Sequence, residues 1–141
     1  MSANTDIARL VGRLALALIF ILSGFNKIMN FGAFSEGLAA GGLPLPQVLT
    51  VLAIALELGS ALALAVGFQG RLAALGLVVF TILATAIGHR FWEITDPAVQ
   101  PMQMIMFLKN IAIIGGLLQV WAGGVGRFAL GRSTIGGSKA G

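Results

Sequence analysis

Four long apolar stretches, separated by short polar or glycine-rich segments, dominate the pattern along this chain. Each stretch reaches about 20 residues, which matches a hydrocarbon core of roughly 30 Å at a rise of about 1.5 Å per residue. The pattern therefore predicts an all-α membrane protein, a four-helix transmembrane bundle formed as one unit by residues 1–126. The predicted spans are about 7–28, 47–67, 71–92 and 102–125.

The segment between the first two spans carries a weaker helical pattern. Phe31, Phe34 and Leu38 recur at helical spacing, and Gly41 and Gly42 follow them. An apolar stripe on so short a segment is typical of a helix that lies in the membrane interface. We therefore expect a short interfacial helix between spans 1 and 2.

The chain also shows a weak internal repeat. Residues 12–15 and 70–73 both read Gly-Arg-Leu-Ala, at the starts of the first and third spans. Such a repeat suggests two helical hairpins in parallel orientation. In a chain this rich in Gly, Leu and Ala, chance similarity is an equal alternative.

The composition supports a membrane protein and excludes several kinds of site. Hydrophobic residues make up 57% of the chain and charged residues only 10%, against about a quarter charged in soluble domains. The net charge of +4 comes from scattered single residues, so we expect a lipid bilayer as partner and no nucleic acid. The chain has no cysteine and one histidine, so we expect no metal site and no cofactor held by this chain beyond a bound quinone or lipid. Whether it is an enzyme stays open, but it lacks the ligands for a self-sufficient redox enzyme.

The charge distribution predicts the orientation. Six basic residues lie on the side of the termini and three on the other; the six are Arg9, Arg13, Arg71, Arg127, Arg132 and Lys139, and the three are Lys27, Arg90 and Lys109. Positive charge favours the cytoplasmic side. We therefore expect a multi-pass protein of the bacterial cytoplasmic (inner) membrane with both termini in the cytoplasm, including a mobile tail at 127–141.

Polar side chains inside the spans gather towards the side opposite the termini. Glu57 lies about 15 Å and Lys109 about 10 Å into their spans, so we expect the two to share one buried site as an ion pair or through one water. Such a cluster is interpreted either as a ligand pocket or as a structural feature that fixes helix packing, and both interpretations stay open. The candidate pocket residues are Glu57, Lys109, Asn110, His89, Lys27 and Asn26; no catalytic residue is assigned.

Small residues form a ridge on the second span. Ala55, Gly59, Ala63 and Gly67 recur every four residues, the spacing that lets membrane helices approach closely. We expect this ridge to pack against another helix, either within the bundle or between copies in a homo-oligomer.

Three segments together resemble the DoxX family of small bacterial membrane proteins. They are GRLALALIFILSGFNKI, LELGSALALAVGFQGRLAAL and FLKNIAIIGGLL, and the resemblance runs from about Arg9 to Gly126. It implies a four-helix bundle in the cytoplasmic membrane and an association, in some members, with quinone-linked oxidoreductases. The motif positions here are Lys27, Glu57, Gly67, Arg71, Lys109 and Asn110, and the resemblance gives none of them a catalytic role.

Two functions follow as alternatives. In the first, the protein is an accessory subunit of a membrane redox system that binds a quinone or small apolar ligand, with electron-transfer cofactors on a membrane or peripheral oxidoreductase partner. In the second, it is a non-catalytic scaffold or assembly factor for a partner membrane protein. Fold alone does not decide between them.

Overall fold

The computed structural model describes residues 2–130, and every regular element in that range is helical. Four of the helices are long and apolar enough to cross a membrane, which confirms the predicted fold class. The helices are α1 (Ala3–Met29), α2 (Phe31–Ala40), α3 (Pro46–Val66), α4 (Gly70–Gly88) and α5 (Gln100–Gly123), with a 3-10 helix at Phe91–Glu93.

Local sequence explains where the helices begin and end. Ser2 caps α1 because its hydroxyl accepts a hydrogen bond from the backbone N–H of Thr5 at 3.3 Å. Pro46 opens α3, where its missing N–H costs nothing. Gly67 closes α3 in the left-handed conformation, with φ of +80°, which a side chain would oppose. The tight turn to α4 therefore depends on this glycine.

The helices pair in chain order. α1 packs along α3, α3 along α4, and α4 along α5, whereas α1 and α5 touch only over a short region. Within the described residues α5 makes no close contact with α3. The most extensive pairs, α1 with α3 and α4 with α5, are the two hairpins that the repeat suggested.

The interior is narrow and most of the apolar surface faces outward. The residues of the apolar core, all at most 9% exposed, are Ala17, Phe20, Ala61, Leu64, Ala73, Ala74, Leu77, Val78, Phe80 and Leu117. Large side chains such as Leu18, Leu22 and Leu72 are more than half exposed. An apolar surface of this extent needs lipid as its solvent.

We call the end of the bundle that carries residue 2 and the α3–α4 turn the proximal end, and the opposite end the distal end. At the proximal end the chain after α5 folds back onto the bundle. Arg13 is 2% exposed, and its guanidinium donates to the carbonyl oxygens of Val125 and Phe128 at 2.6 Å each and of Ala65 at 3.3 Å. The N–H of Leu130 donates to Val66 O at 2.7 Å. The first residues of the predicted tail, 127–130, are thus attached to the bundle, and 131–141 lie outside the described residues.

The predicted ridge on α3 divides into two parts. Ala55 and Gly59 are exposed, and a methyl group added at Gly59 would meet nothing within 4 Å, so these two do not pack within the bundle. Ala63 packs partly against the core, and Gly67 lies against Ala129. The alternative of packing between copies stays a prediction.

The close approaches of α3 use glycines on the neighbouring helices instead. A methyl group at Gly24 of α1 would lie 3.2 Å from Cβ of Leu58, and one at Gly76 of α4 would lie 2.9 Å from Oγ of Ser60. Glycine at these positions lets the helix axes come together. The small residues thus lie on α1 and α4, opposite larger ones on α3.

Candidate functional site

A cavity of about 850 Å³ lies in the distal half of the bundle. All five α-helices contribute to the wall of this cavity, which we call the distal cavity, and most of its lining is aliphatic or aromatic. The polar side chains that line it are Ser23, Lys27, Glu57, Thr81, His89, Lys109 and Asn110. A large apolar cavity with a few convergent polar groups is the usual form of a small-molecule site.

An ion pair lies at the inner part of this cavity. Nζ of Lys27 donates to Oε2 of Glu57 at 2.8 Å and to Oγ of Ser23, also at 2.8 Å. The side chain of Lys27 is 12% exposed and that of Glu57 only 1%. Two aromatic rings flank the ammonium, with centroids 5.3 Å away for Phe34 and 5.4 Å for Phe80. The ammonium has therefore exchanged most of its hydration water for a carboxylate, a hydroxyl and two ring faces.

Glu57 and Lys109 line the same cavity, but the direct ion pair predicted between them is absent, because Lys27 holds Glu57 and Lys109 is exposed. A link through one water stays a prediction, and the direction of the helices accounts for the choice of Lys27. Side chains lean towards the N-terminus of their own helix. α1 starts at the proximal end, so Lys27 leans into the bundle, while Glu57 on α3 leans towards the distal end to meet it. α5 makes no close contact with α3 among the described residues, and Nζ of Lys109 lies at Sδ of Met106 on its own helix.

Lys109 and Asn110 both line the distal cavity from α5. Lys109 is exposed, and its Nζ lies 3.4 Å from Sδ of Met106. Asn110 donates through Nδ2 to Oγ1 of Thr85 at 2.9 Å, and Thr85 in turn donates to the carbonyl oxygen of Thr81 at 2.6 Å. Asn110 thus joins α5 to α4, the interhelical bond expected of an asparagine in a membrane span.

His89 directly follows α4 as its C-terminal cap and lines the distal cavity. It is half-buried, and its Nδ1 lies 2.7 Å from Oε1 of Gln103 on α5. Gln103 was missed in the sequence because a single glutamine near a helix start carries no distinctive spacing. The pair ties the ends of α4 and α5 together beside the cavity.

Asn26 lies outside the distal cavity, which corrects its assignment to the pocket. It is exposed, and its carbonyl and side-chain oxygens accept hydrogen bonds from Nδ2 of Asn30 at 3.1 and 2.9 Å. The backbone N–H of Asn30 donates to the same carbonyl at 2.9 Å. Asn26 therefore shapes the junction between α1 and α2.

The predicted short helix is present as α2, and a buried hydroxyl pair attaches it to the bundle. Ser35 and Thr50 lie 2.8 Å apart through their hydroxyl oxygens, and Thr50 also bonds Pro46 O at 2.7 Å. Both residues are at most 4% exposed. α2 is thus packed on α3 and places Phe34 beside Lys27, a contact that the stripe of apolar residues alone did not predict.

Chemically, the distal cavity combines an apolar volume with separate polar groups. The most buried of these groups is Glu57 with its partner Lys27, and Asn110, His89 and the exposed Lys109 line the cavity separately from that pair. This arrangement suits a molecule with an apolar body and a small oxygen-bearing head.

Comparison with known proteins gives the family. The DoxX family model matches residues 8–90, more than half of the chain. The chain belongs to the DoxX family. It is 36% identical to inner membrane protein YphA of Escherichia coli K12, over 92% of both chains, and 31% identical to inner membrane protein YqjF of the same organism, over 94% of this chain and 95% of that one. No solved structure matches it.

The matched part of this DoxX protein covers α1 from residue 8 onward and the whole of α2, α3 and α4. Lys27 and Glu57 therefore fall inside the family match, whereas Lys109 and Asn110 on α5 lie beyond it. The curated relatives extend over α5 as well, because they cover more than nine-tenths of the chain.

Proposed function

We propose that this DoxX protein is an inner-membrane protein that binds a quinone or another small apolar ligand in the distal cavity, as an accessory subunit of a membrane redox system. Both E. coli relatives are named inner membrane proteins, which supports a location in the inner membrane for this protein. With no cysteine and one histidine in the chain, the electron-transfer cofactors belong to a partner oxidoreductase.

The observation that carries this proposal is the polar cluster in an otherwise apolar cavity. A volume of about 850 Å³ falls within the roughly 300–1,000 Å³ of ligand pockets. Charged groups inside a membrane span are costly and are retained mostly for function. Of the polar lining, Lys109 and Asn110 are suited to bond ligand oxygens, and Lys27 and Glu57 form the inner end of the site.

The polarity of the residues that line the cavity suits a quinone. The apolar walls accept its ring and tail, and Lys109 and Asn110 present hydrogen-bond donors to its oxygens. A bound quinone would supply the capacity to carry electrons together with protons. This chain would bind and orient it and keep its head away from bulk water.

The test is to purify the protein from its own membranes and identify the lipids that remain bound. We expect a quinone in the extract at close to one per chain or per oligomer. Gly37 lines the cavity, and a methyl group there would meet nothing within 4 Å, so Gly37→Leu should fill the cavity without disturbing α2. The bound quinone should then be lost.

Gly32→Leu is the matched control. Gly32 lies on the same helix, outside the cavity lining, and has equal room for a side chain. This variant should retain the wild-type amount of quinone. The proposal would be contradicted if the wild-type protein contained no more quinone than an unrelated membrane protein prepared in the same way.

A scaffold or assembly role is the second candidate, and one observation favours it. Ala55 and Gly59 form a small-residue surface on α3 that the described part of the chain leaves uncovered. Such surfaces allow close helix packing between membrane proteins. This role is compatible with a ligand in the distal cavity.

A further inference from the structure

We propose that the distal cavity selects a ligand whose head is a hydroxyl-bearing ring, and that this hydroxyl donates a hydrogen bond to Oε1 of Glu57. The inference rests on the proposed function, in which the cavity holds a small amphiphile, and it adds the residue and the chemistry that decide which amphiphile binds.

The carboxylate of Glu57 is incompletely satisfied. Its side chain is 1% exposed, and Oε2 accepts the hydrogen bond from Lys27. Within residues 2–130, Oε1 accepts no hydrogen bond that the structure records. Oε1 is not fully enclosed, since Arg13 Nε is the one fully enclosed polar side-chain atom without a partner among the described residues. An occupant of the cavity that brings a donor can therefore reach Oε1 and gains a hydrogen bond to a charged group there.

Lys27 leaves one donor at the same place. Two of the three N–H groups of its ammonium donate to Ser23 and Glu57, and the rings of Phe34 and Phe80 flank it. A hydroxyl can donate to Oε1 of Glu57 and also accept from the remaining N–H. A group that only accepts, such as a carbonyl or a carboxylate, can use the N–H but meets the lone pairs of Oε1.

Aromatic side chains at the same end favour a ring. Phe20, Phe34 and Phe80 all line the cavity, and Phe20 and Phe80 already meet edge to face with centroids 6.3 Å apart. Rings add to such clusters in edge-to-face or offset geometry. A phenol-like head brings both the ring and the donor, which the reduced, hydroxyl form of a quinone has and the oxidised form lacks.

The test compares two ligands that differ only in the donor. A long-chain 4-alkylphenol and its methyl ether share a tail and a ring, but the ether cannot donate. We would measure both dissociation constants on the purified full chain in one detergent, by native mass spectrometry or titration calorimetry. Because a hydrogen bond to a charged group is involved, the phenol should bind about tenfold or more tightly than the ether.

A double variant then assigns the preference to Glu57. Lys27→Met with Glu57→Leu removes both charges together and leaves no unpaired ammonium. It should reduce the preference for the phenol to about twofold or less. Arg90→Met, which removes a cation of the distal end outside the cavity lining and leaves the ion pair intact, should keep the wild-type preference.

The outcomes separate this inference from the proposed function. Equal binding of phenol and ether to the wild type would overturn the inference and leave the cavity as a site for apolar ligands. A preference that survives in the double variant would overturn Glu57 as the acceptor. If neither compound binds and no quinone co-purifies, both the inference and the proposed function fail.

Discussion

The ammonium of Lys27, near the end of α1, lies 2.8 Å from a carboxylate oxygen of Glu57, in the middle of α3. The two residues are 30 positions apart in the chain and belong to the helix pair with the most extensive packing. The bond therefore joins the two helices of the first hairpin at the level of the distal cavity.

Removing one member of this pair should be worse than removing both. Lys27→Met or Glu57→Leu alone leaves an unpaired charge in a low-dielectric site, and we expect each to lower the free energy of unfolding by about 3–5 kcal/mol. The double variant should recover most of that loss, because apolar side chains replace both charges. The measurement is a double-mutant cycle on unfolding in detergent or bicelles.

Lys109→Met is the control for this cycle. Lys109 is exposed and bonds only to Met106 among the described residues, so its loss should change stability by less than about 1 kcal/mol. Additive effects of the two single substitutions would show that the Lys27–Glu57 bond contributes no coupling.

The orientation of the bundle can be tested directly. We expect both termini and the α3–α4 turn in the cytoplasm, because six basic residues lie on that side and three on the other. Reporter fusions after Gly67 and after Ile135 should report the cytoplasm, and a fusion near Pro97 the outside. An outside signal from the fusion after Ile135 would contradict the prediction.

The sequence predicted the number of spans well and the contacts between them less well. Long apolar stretches and glycine-rich turns are local signals, so four spans and α2 could be found without knowing the fold. Which lysine pairs with Glu57 depends on the order of helix packing and on the direction in which each side chain leans. The prediction of Lys109 rests on depth along the span alone. Depth carries no information about the packing order of the helices or about the direction of a side chain.

Two further contacts show the same limit. The sequence places Arg13 in the internal repeat and in the charge distribution of the membrane boundary, yet it is 2% exposed and bonds three carbonyl groups. The bond between Ser35 and Thr50 joins two common residues with no distinctive spacing. In each case the chemistry comes from residues that only the folded chain brings together.

The exposed part of the small-residue ridge gives a prediction about assembly. Gly59→Leu adds a side chain where the single chain has open space, so the fold of one copy should be unaffected. If copies pack through α3, the leucine forces the helix axes apart and the oligomer should dissociate. Light scattering in detergent and cross-linking in membranes would measure this.

Gly115→Leu is the matched control for the ridge. Gly115 lies on α5 and also has nothing within 4 Å, so the same side chain is added to a different face. It should leave the oligomeric state unchanged. An unchanged state in Gly59→Leu as well would exclude α3 as the interface.

Arg13 should hold the segment after α5 against the proximal end. Its guanidinium donates to Val125 and Phe128 beyond α5 and to Ala65 near the end of α3. Arg13→Met removes these donors and leaves carbonyl groups without partners, so we expect a loss of roughly 2–4 kcal/mol in stability and release of residues 125–130. Because the chain has no cysteine, Phe128→Cys provides a single labelling site in a half-exposed position.

The labelling rate separates release of this segment from general destabilisation. The thiol introduced by Phe128→Cys should react several-fold faster with a water-soluble maleimide in the Arg13→Met background than in the wild type, at a temperature where both are folded. Arg90→Met is the control, since Arg90 forms only an exposed bond of 3.4 Å to Glu93 at the distal end, which contributes little. Equal labelling rates in the wild-type, Arg13→Met and Arg90→Met backgrounds would contradict this role of Arg13. Backbone hydrogen bonds such as that of Leu130 to Val66 would then be sufficient to hold the segment.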